Sequence, residues 1–338
     1  MPDNNERTLA LDARATARIT LPIATPYAGR TIASLVQELL GRAALEQLLA
    51  HGGIWLDQQR VQDATLPAPA GAILRLHRPP DGQYASVTIT AADICYEDKW
   101  LLVLNKHAGW YTGATPWDTQ GNVLAALTHM LTLRDGVPPR LHLAHQLDRD
   151  TSGVLLCTKD PTANAPLQAA FANSAVDKTY LCVCVGEPAD TVFELRTGHG
   201  RSRGGRWRLY DQEQVGRELP TGGRVQLAHT HFQVVQRLGD YTIIYAHPHT
   251  GRTHQIRLHL AACGHPLLGD TRYGGPDVFR HQVLTAHLLH AAQLRLSHPI
   301  TGQPLDLKAA IPAHFRPFLP ELSCALLEVQ TPGDQENH

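Results

Sequence analysis

Apolar residues recur at helical spacing early in the chain. Ile32, Leu35, Val36, Leu39 and Leu40 fall at i, i+3, i+4, i+7 and i+8, one face of a helix beginning near Thr31. Ala44, Leu45, Leu48 and Leu49 predict a second helix, stopped by Gly52-Gly53. The period then shortens. Ile54-Trp55-Leu56 reads as a strand, Asp57-Gln58-Gln59 as a turn, Val61 as the start of a return, and residues 72–76 as a last strand. Residues 1 to about 26 are polar, then alternate, and predict no firm element.

Arg78-Pro79-Pro80-Asp81-Gly82-Gln83 reads as a linker. Beyond Ser86 the pattern is strand-rich. Residues 94–109 predict strand, turn and strand; 122–133 a helix; 154–157 a buried strand. Asp160-Pro161 is a cap and first-turn signal for a helix through about 173. Residues 179–185, 232–235 and 241–246 read as strands, and 294–296 with 305–307 as a hairpin around Pro299 and Gly302. No βαβ rhythm occurs, so the class is α+β: a mixed, mostly antiparallel central sheet with flanking helices. The division expected is an extension (1–26), a small α+β domain (27–78), a linker (79–85), a large domain (86–318) and a tail (319–338).

Composition adjusts this picture in three ways. A length of 338 residues suits two domains at ~150 residues each. The net charge of -1 excludes a polybasic binder, although charge can be segregated by face. Of 30 basic residues only five are Lys, and Arg suits bidentate phosphate contacts as well as a GC-rich genome. Cys95, Cys157, Cys182, Cys184, Cys263 and Cys324 form no CxxC pair, a reduced, cytoplasmic pattern. The first residues lack the apolar run of a secretory signal, and no stretch reaches the ~18 apolar residues of a membrane span.

The chemistry concentrates in His145-Gln146-Leu147-Asp148-Arg149-Asp150-Thr151-Ser152-Gly153, just ahead of the apolar run Val154-Leu155-Leu156-Cys157. A carboxylate at the mouth of a buried strand is a poised group. A second cluster is Thr250-Gly251-Arg252-Thr253-His254-Gln255-Ile256-Arg257-Leu258-His259-Leu260, helical from Arg252 by its Ile256 and Leu260 spacing. Lys178-Thr179-Tyr180 opens a strand. Arg196, Arg201, Arg203, Arg206 and Arg208 surround Trp207 without an acid, on a glycine-containing segment that reads as a flexible loop. Of the 20 histidines, none sits in an HExxH arrangement, so no metal is expected.

The nine-residue segment resembles the central motif of the pseudouridine synthases acting on large-subunit rRNA and tRNA, His-Arg-Leu-Asp-x-x-Thr-Ser-Gly. The second cluster resembles the family's Thr-Gly-Arg-Thr-His-Gln-Ile-Arg-Val-His-Leu. Residues 94–109 resemble its opening motif, with His107 where proline is usual, and Gly264-His265-Pro266 through Gly274 resembles a loop expected to pack under the site. The resemblance implies the pseudouridine synthase fold, no cofactor, and an isomerisation that breaks N1–C1′ of uridine and rejoins the base through C5. Asp148 is the implied nucleophile, either covalent or stabilising a cationic sugar. Arg257 is expected to pair with it and Tyr180 to lie at the base. Thr151, Ser152 and Gly153 are expected to shape the turn through side-chain to backbone bonds.

Gln146, Arg149, Lys106, Lys178, Arg252, His254, Arg201, Arg203 and Arg206 are the expected RNA-binding residues. Residues 27–78 are similar in pattern to an S4-type RNA-binding domain. The partner expected is RNA, rRNA ahead of tRNA, met by a monomer away from membranes. Gln146 replaces the family's Arg, which can fill the space left by a flipped base. Gln146, His107 and the neutral charge would also suit a catalytically silent RNA-binding or ribosome-assembly protein. Intact Asp148, Tyr180 and Arg257 speak for the enzyme.

Overall fold

The computed structural model describes residues 17–320. The chain gathers into two compact units, residues 17–89 with 111–130, and residues 90–110 with 131–320. Cys324 lies outside the described residues.

The first unit contains β1 (Arg18–Pro22), α1 (Ile32–Leu40), α2 (Arg42–His51), β2 (Ile54–Leu56), β3 (Gln59–Arg60) and β4 (Ile73–His77). The Thr31 side chain caps α1 by accepting from the Ser34 amide at 3.1 Å. Gly52 ends α2 at φ 73°, a left-handed conformation that suits glycine. Both helices bury their apolar stripe against an antiparallel sheet of order β1-β4-β2-β3, with Val36, Leu48, Ile54, Leu74 and Leu76 in the core. Strand β1 falls where the pattern predicts no firm element. It buries only Ile19 of Arg18–Pro22, too little for an alternation to stand out. The chain returns to this unit with residues 111–130. There Trp55 Nε1 donates to the Pro116 carbonyl at 2.8 Å, and Arg60 to that of Thr115 at 2.8 Å.

The second unit is built on β5 (Ile94–Glu97), β6 (Leu101–Lys106), β7 (His142–Leu143), β8 (Ser152–Thr158), β9 (Asp177–Val185), β10 (Val192–Arg201), β11 (Trp207–Tyr210), β12 (Gln226–Arg237) and β13 (Tyr241–Pro248). A two-stranded ribbon, β14 (Val278–Phe279) with β15 (Gln282–Val283), precedes β16 (Leu289–Ser297) and β17 (Pro304–Lys308). Helix α3 (Val123–Asp135) spans the division between units, and α4 (Asn164–Ala172) and α5 (Gln255–Ala262) belong to the second. The sheet runs β11-β10-β12-β13-β9-β16-β8-β6-β5, with β17 on β16 and β7 on β8. Its neighbours are antiparallel except β8 with β16. The α+β class with a mixed, mostly antiparallel sheet is therefore the one the pattern predicts. Among the described residues no helix is long and apolar enough to cross a membrane.

Two local expectations are corrected. The glycine- and arginine-rich segment after Arg196 is not a flexible loop but the β10–β11 hairpin. Gly198 and Gly200 sit within β10 because a Cβ would press on Val225 and Leu219, so these glycines mark close packing. Helix α5 starts at Gln255, three residues later than its spacing suggests, because His254 takes a left-handed φ of 59°. What positions the site is β8. All seven of its residues are buried, and the polar turn stands immediately ahead of it.

Candidate active site

Lys106, the last residue of β6, is fully buried beneath that turn. Its ammonium donates to three carbonyls, those of His107 at 3.0 Å and of Arg149 and Thr151 at 2.8 Å. Burial pushes its pKa down to about 7, with Asp150 and Asp148 opposing. Three acceptors nonetheless call for three N–H groups, which only the charged form has. The Thr151 amide returns to the Asp148 carbonyl at 3.2 Å, closing a tight turn. Thr151 and Ser152 do not bond to backbone through their side chains, as the motif suggested. Their hydroxyls meet the imidazoles of His287 and His290, each at 2.9 Å. Burial pushes His287 to about 3 and His290 to about 4, so both are neutral props under β8.

The turn delivers the Asp148 carboxylate to Arg257 on α5. Arg257 Nη1 donates to Asp148 Oδ2 at 2.8 Å, while Nε and Nη2 grip Asp270 at 2.7 and 2.8 Å. Burial works against this guanidinium, but the two carboxylates prevail and hold it charged. Its other face lies over the Tyr273 ring, 5.1 Å from the centroid. His254 Nδ1 is 2.7 Å from the Tyr273 hydroxyl, and its Nε2 is 3.8 Å from Asp148 Oδ1. Burial holds His254 near pKa 4, hence neutral. The tautomer satisfying both neighbours has Tyr273 donating to Nδ1 and Nε2–H turned to Asp148.

Asp148 therefore has Oδ2 fixed by Arg257, while Oδ1 has only the more distant His254 imidazole, at 3.8 Å, among the described residues. It lines a cavity of about 80 Å³ with Tyr180, Gln146, Lys178, Thr250 and Arg257. Burial, then the Asp148 charge, raises the Tyr180 phenol well above its ordinary value. Tyr180 thus offers a neutral ring and a hydroxyl donor, not a phenolate. A held carboxylate, a neutral aromatic and a cationic rim suit attack on, or charge stabilisation of, an electron-poor carbon beneath a planar base.

A family model described as RNA pseudouridylate synthase matches residues 100–262. RNA pseudouridine synthase 1 of Oryza sativa subsp. japonica is 34% identical over 292 residues, covering 75% of this chain and 82% of its own. Ribosomal large subunit pseudouridine synthase D of Zymomonas mobilis is 30% identical over 300 residues, covering 84% and 89%. The chain belongs to the RNA pseudouridine synthase family. The solved structure of human RNA pseudouridylate synthase domain containing 4 shares its fold, with a TM-score of 0.53 at 24% identity over 67% of this chain and 90% of that one.

Set in this synthase, the expected RNA-facing residues separate. Gln146 is exposed at the rim, and Arg149 is exposed beside Asp150 at 3.6 Å. Lys178 lines the pocket, and Arg252 stands near it with Nε donating to the Leu227 carbonyl at 3.0 Å. Lys106 leaves the set: a buried ammonium held by three carbonyls cannot meet RNA, and its task is to hold the turn. Arg201 covers the Trp207 ring at 4.6 Å, and Trp207 stacks on His199 at 4.8 Å. His199 reaches the Thr253 carbonyl at 2.9 Å, tying the hairpin to the loop ahead of α5. Arg203 and Arg206 occupy the exposed hairpin turn. His107 is held where proline is usual by Asp93 at 2.8 Å and by stacking on Trp110 at 4.4 Å.

The sequence pattern alone does not single out Asp270, Tyr273 or His287. Asp270 and Tyr273 stand in the loop expected to pack under the site. The available signal was Arg257 itself, since a buried guanidinium has more donors than one carboxylate can accept.

Proposed function

We propose that this RNA pseudouridine synthase isomerises uridines in structured large-subunit ribosomal RNA, working in the cytoplasm, with Asp148 as its nucleophile. The observation that carries this reading is the Asp148–Arg257–Asp270 chain opening on a cavity beside Tyr180. Arg257 pairs with Asp148 and aims it while one carboxylate oxygen stays available to the sugar. The N1–C1′ bond breaks, the freed uracil turns over Tyr180, C5 bonds to C1′, and the C5 proton is lost as N1 gains one. Nothing is oxidised and no water is consumed.

Support for the ribosomal target comes from relatives named for the large subunit. The five described cysteines are free, in keeping with a reducing compartment. Gln146, Arg149, Lys178, Arg252 and His254 would meet the target strand, and Arg201, Arg203 and Arg206 its backbone. We read the first unit as an S4-like RNA-binding module. Arg18, Arg60 and Arg75 lie near His77, whose pKa is lowered by burial and then by these three charges, and Arg60 stacks over Trp55 at 4.6 Å.

The test is to incubate the protein with total RNA from a strain lacking it and map new pseudouridines. New sites confined to large-subunit rRNA, and lost with Asp148→Asn, are expected. No gain with the wild type removes the enzyme reading, sites only in tRNA move the target, and gain persisting in Asp148→Asn removes the nucleophile.

A further inference from the structure

A second cavity, of about 200 Å³, adjoins the active-site pocket, and Lys178 and Pro248 line both. Its remaining wall includes Ser174, Thr179, His247 and His249. The two histidines belong to a bank of four. His249 stacks on His229 with centroids 4.3 Å apart, and His247 faces His231 at 5.9 Å. None of these four belongs to the motifs that carry the isomerisation.

The cavity wall is poor in acids. Among the described residues the Lys178 ammonium has neither a hydrogen bond nor a carboxylate partner, though it is half-buried. Its pKa is lowered by burial and then by the nearby charge of Arg252. Two cations close together without an acid between them leave an electrostatic deficit that an anion would fill. Asp177 is the one carboxylate on the wall. Arg295 lies across from it in the β9–β16 ladder and leans to Asp306 at 3.6 Å. His247 and His249 are both shifted down, first by burial, so at neutral pH they act as N–H donors and stacking faces.

We propose that this second cavity is an RNA subsite that receives the phosphodiester next to the target uridine, held by Lys178 from the shared wall and closed by His247 and His249. It rests on the reading of the neighbouring pocket as the uridine site. A strand whose uridine enters that pocket must carry an adjoining phosphate past Lys178, and the ammonium and the exposed His249 imidazole match phosphate oxygens, while the Ser174 hydroxyl is engaged by the His249 carbonyl at 2.8 Å and that of Thr179 by His247 Nδ1 at 3.3 Å. The bank of histidines would then set where the strand lies on this side.

The experiment uses a short RNA centred on a uridine that the full-length protein modifies, with one linkage at a time replaced by a neutral methylphosphonate. Neutralising one of the two linkages beside the target is expected to weaken wild-type binding about tenfold, and a remote linkage far less. Lys178→Gln should bind more weakly and lose that sensitivity. His249→Asp, at an exposed position where folding is not at risk, should weaken binding by placing a negative charge at the mouth. Equal effects at all linkages, or a Lys178→Gln protein as sensitive as the wild type, overturn the subsite. Pseudouridine formed normally without linkage preference would remove the subsite and leave the function standing. The linkage pattern, in turn, can hold whichever group proves to be the nucleophile.

Discussion

Arg257 commits three of its N–H groups to two carboxylates, and this division sets the position of the Asp148 carboxylate. Asp270 takes the bidentate grip and fixes the plane of the guanidinium, and an Nη1–H goes to one oxygen of Asp148. Asp270→Asn keeps the shape but turns an NH₂ toward a donor. The guanidinium should tilt and carry Asp148 with it. Misplacement on the order of 1 Å costs about a hundredfold in rate, so kcat in single-turnover assays should fall by about that much while KM for RNA stays close to wild type. An unchanged kcat would remove the positioning role. Gln146 makes a second case. Flipping a stacked base costs a few kcal/mol, and an arginine at this exposed rim could stack in the vacated space. Gln146→Arg should therefore speed turnover on duplex-like RNA by about tenfold and change little on a single-stranded one; equal rates on both would sink the idea. The pairing of Asp148 with Arg257 was legible from their motifs. The role of Asp270 was not, because it depends on a loop meeting a helix face, which no local pattern records.

At the level of elements, Gly153 links motif to topology. It sits at φ 111° where β8 pairs in parallel with β16, and a Cβ would run into the Ala291 carbonyl. Gly153→Ala combines backbone strain with overlap and should cost about 3 kcal/mol in urea unfolding; a loss under about 1 kcal/mol would mean that β16 can shift. The β5–β6 turn is tied differently. Asp98 accepts from the Trp100 and Leu101 amides at 2.7 Å, and Glu97 receives Arg134 from the end of α3 and Lys159 from beyond β8. The hydrogen bond from Arg134, helped by Lys159 against burial, lowers Glu97 from 4.5 to about 2. A carboxylate depressed on folding stabilises above its unfolded pKa and loses that contribution as pH falls through the folded one. Glu97 should thus contribute about 1 kcal/mol above pH ~4.5, after solvent screening, lost between there and pH ~2. Comparing wild type with Glu97→Gln across that range checks it, and parallel curves would count against it. Helices and buried strands were readable because their apolar periods are strong. The β10–β11 hairpin was not, since its glycines are chosen for packing across the sheet and mimic a loop in one dimension.

For the whole molecule, the Pro/Gly segment at 79–85 invites the view that two domains could be cut apart there, yet the chain goes back. Residues 111–130 gather with the first unit, and the bonds that hold them come from its helix and strands. The Asp118 side chain, 3% exposed as a residue, meets His51 Nδ1 at 3.0 Å, and His51 stacks on Tyr84 at 3.6 Å. Among the described residues Asp118 Oδ2 and the Tyr84 hydroxyl are buried without hydrogen-bond partners, so the cluster already carries a desolvation cost that its neighbours offset. Composition marks where a chain bends, but it cannot report that a segment some thirty residues on returns to the same unit, which is why this was not legible. A protein beginning after the linker would strip Asp118 of His51, and the Thr115 and Pro116 carbonyls of the Arg60 and Trp55 donors. It should therefore melt several degrees below the full-length chain and be cleaved by protease within 111–122, beyond what losing the RNA contacts proposed for the first unit would cause. Full-length His51→Ala separates the two effects. It leaves Arg18, Arg60 and Arg75 in place, so on the proposed reading RNA affinity should hold while thermal stability drops by about 1–3 kcal/mol for the stranded carboxylate. A truncated protein with undiminished stability, and no new cleavage, would show that residues 111–130 need nothing from the module they pack with.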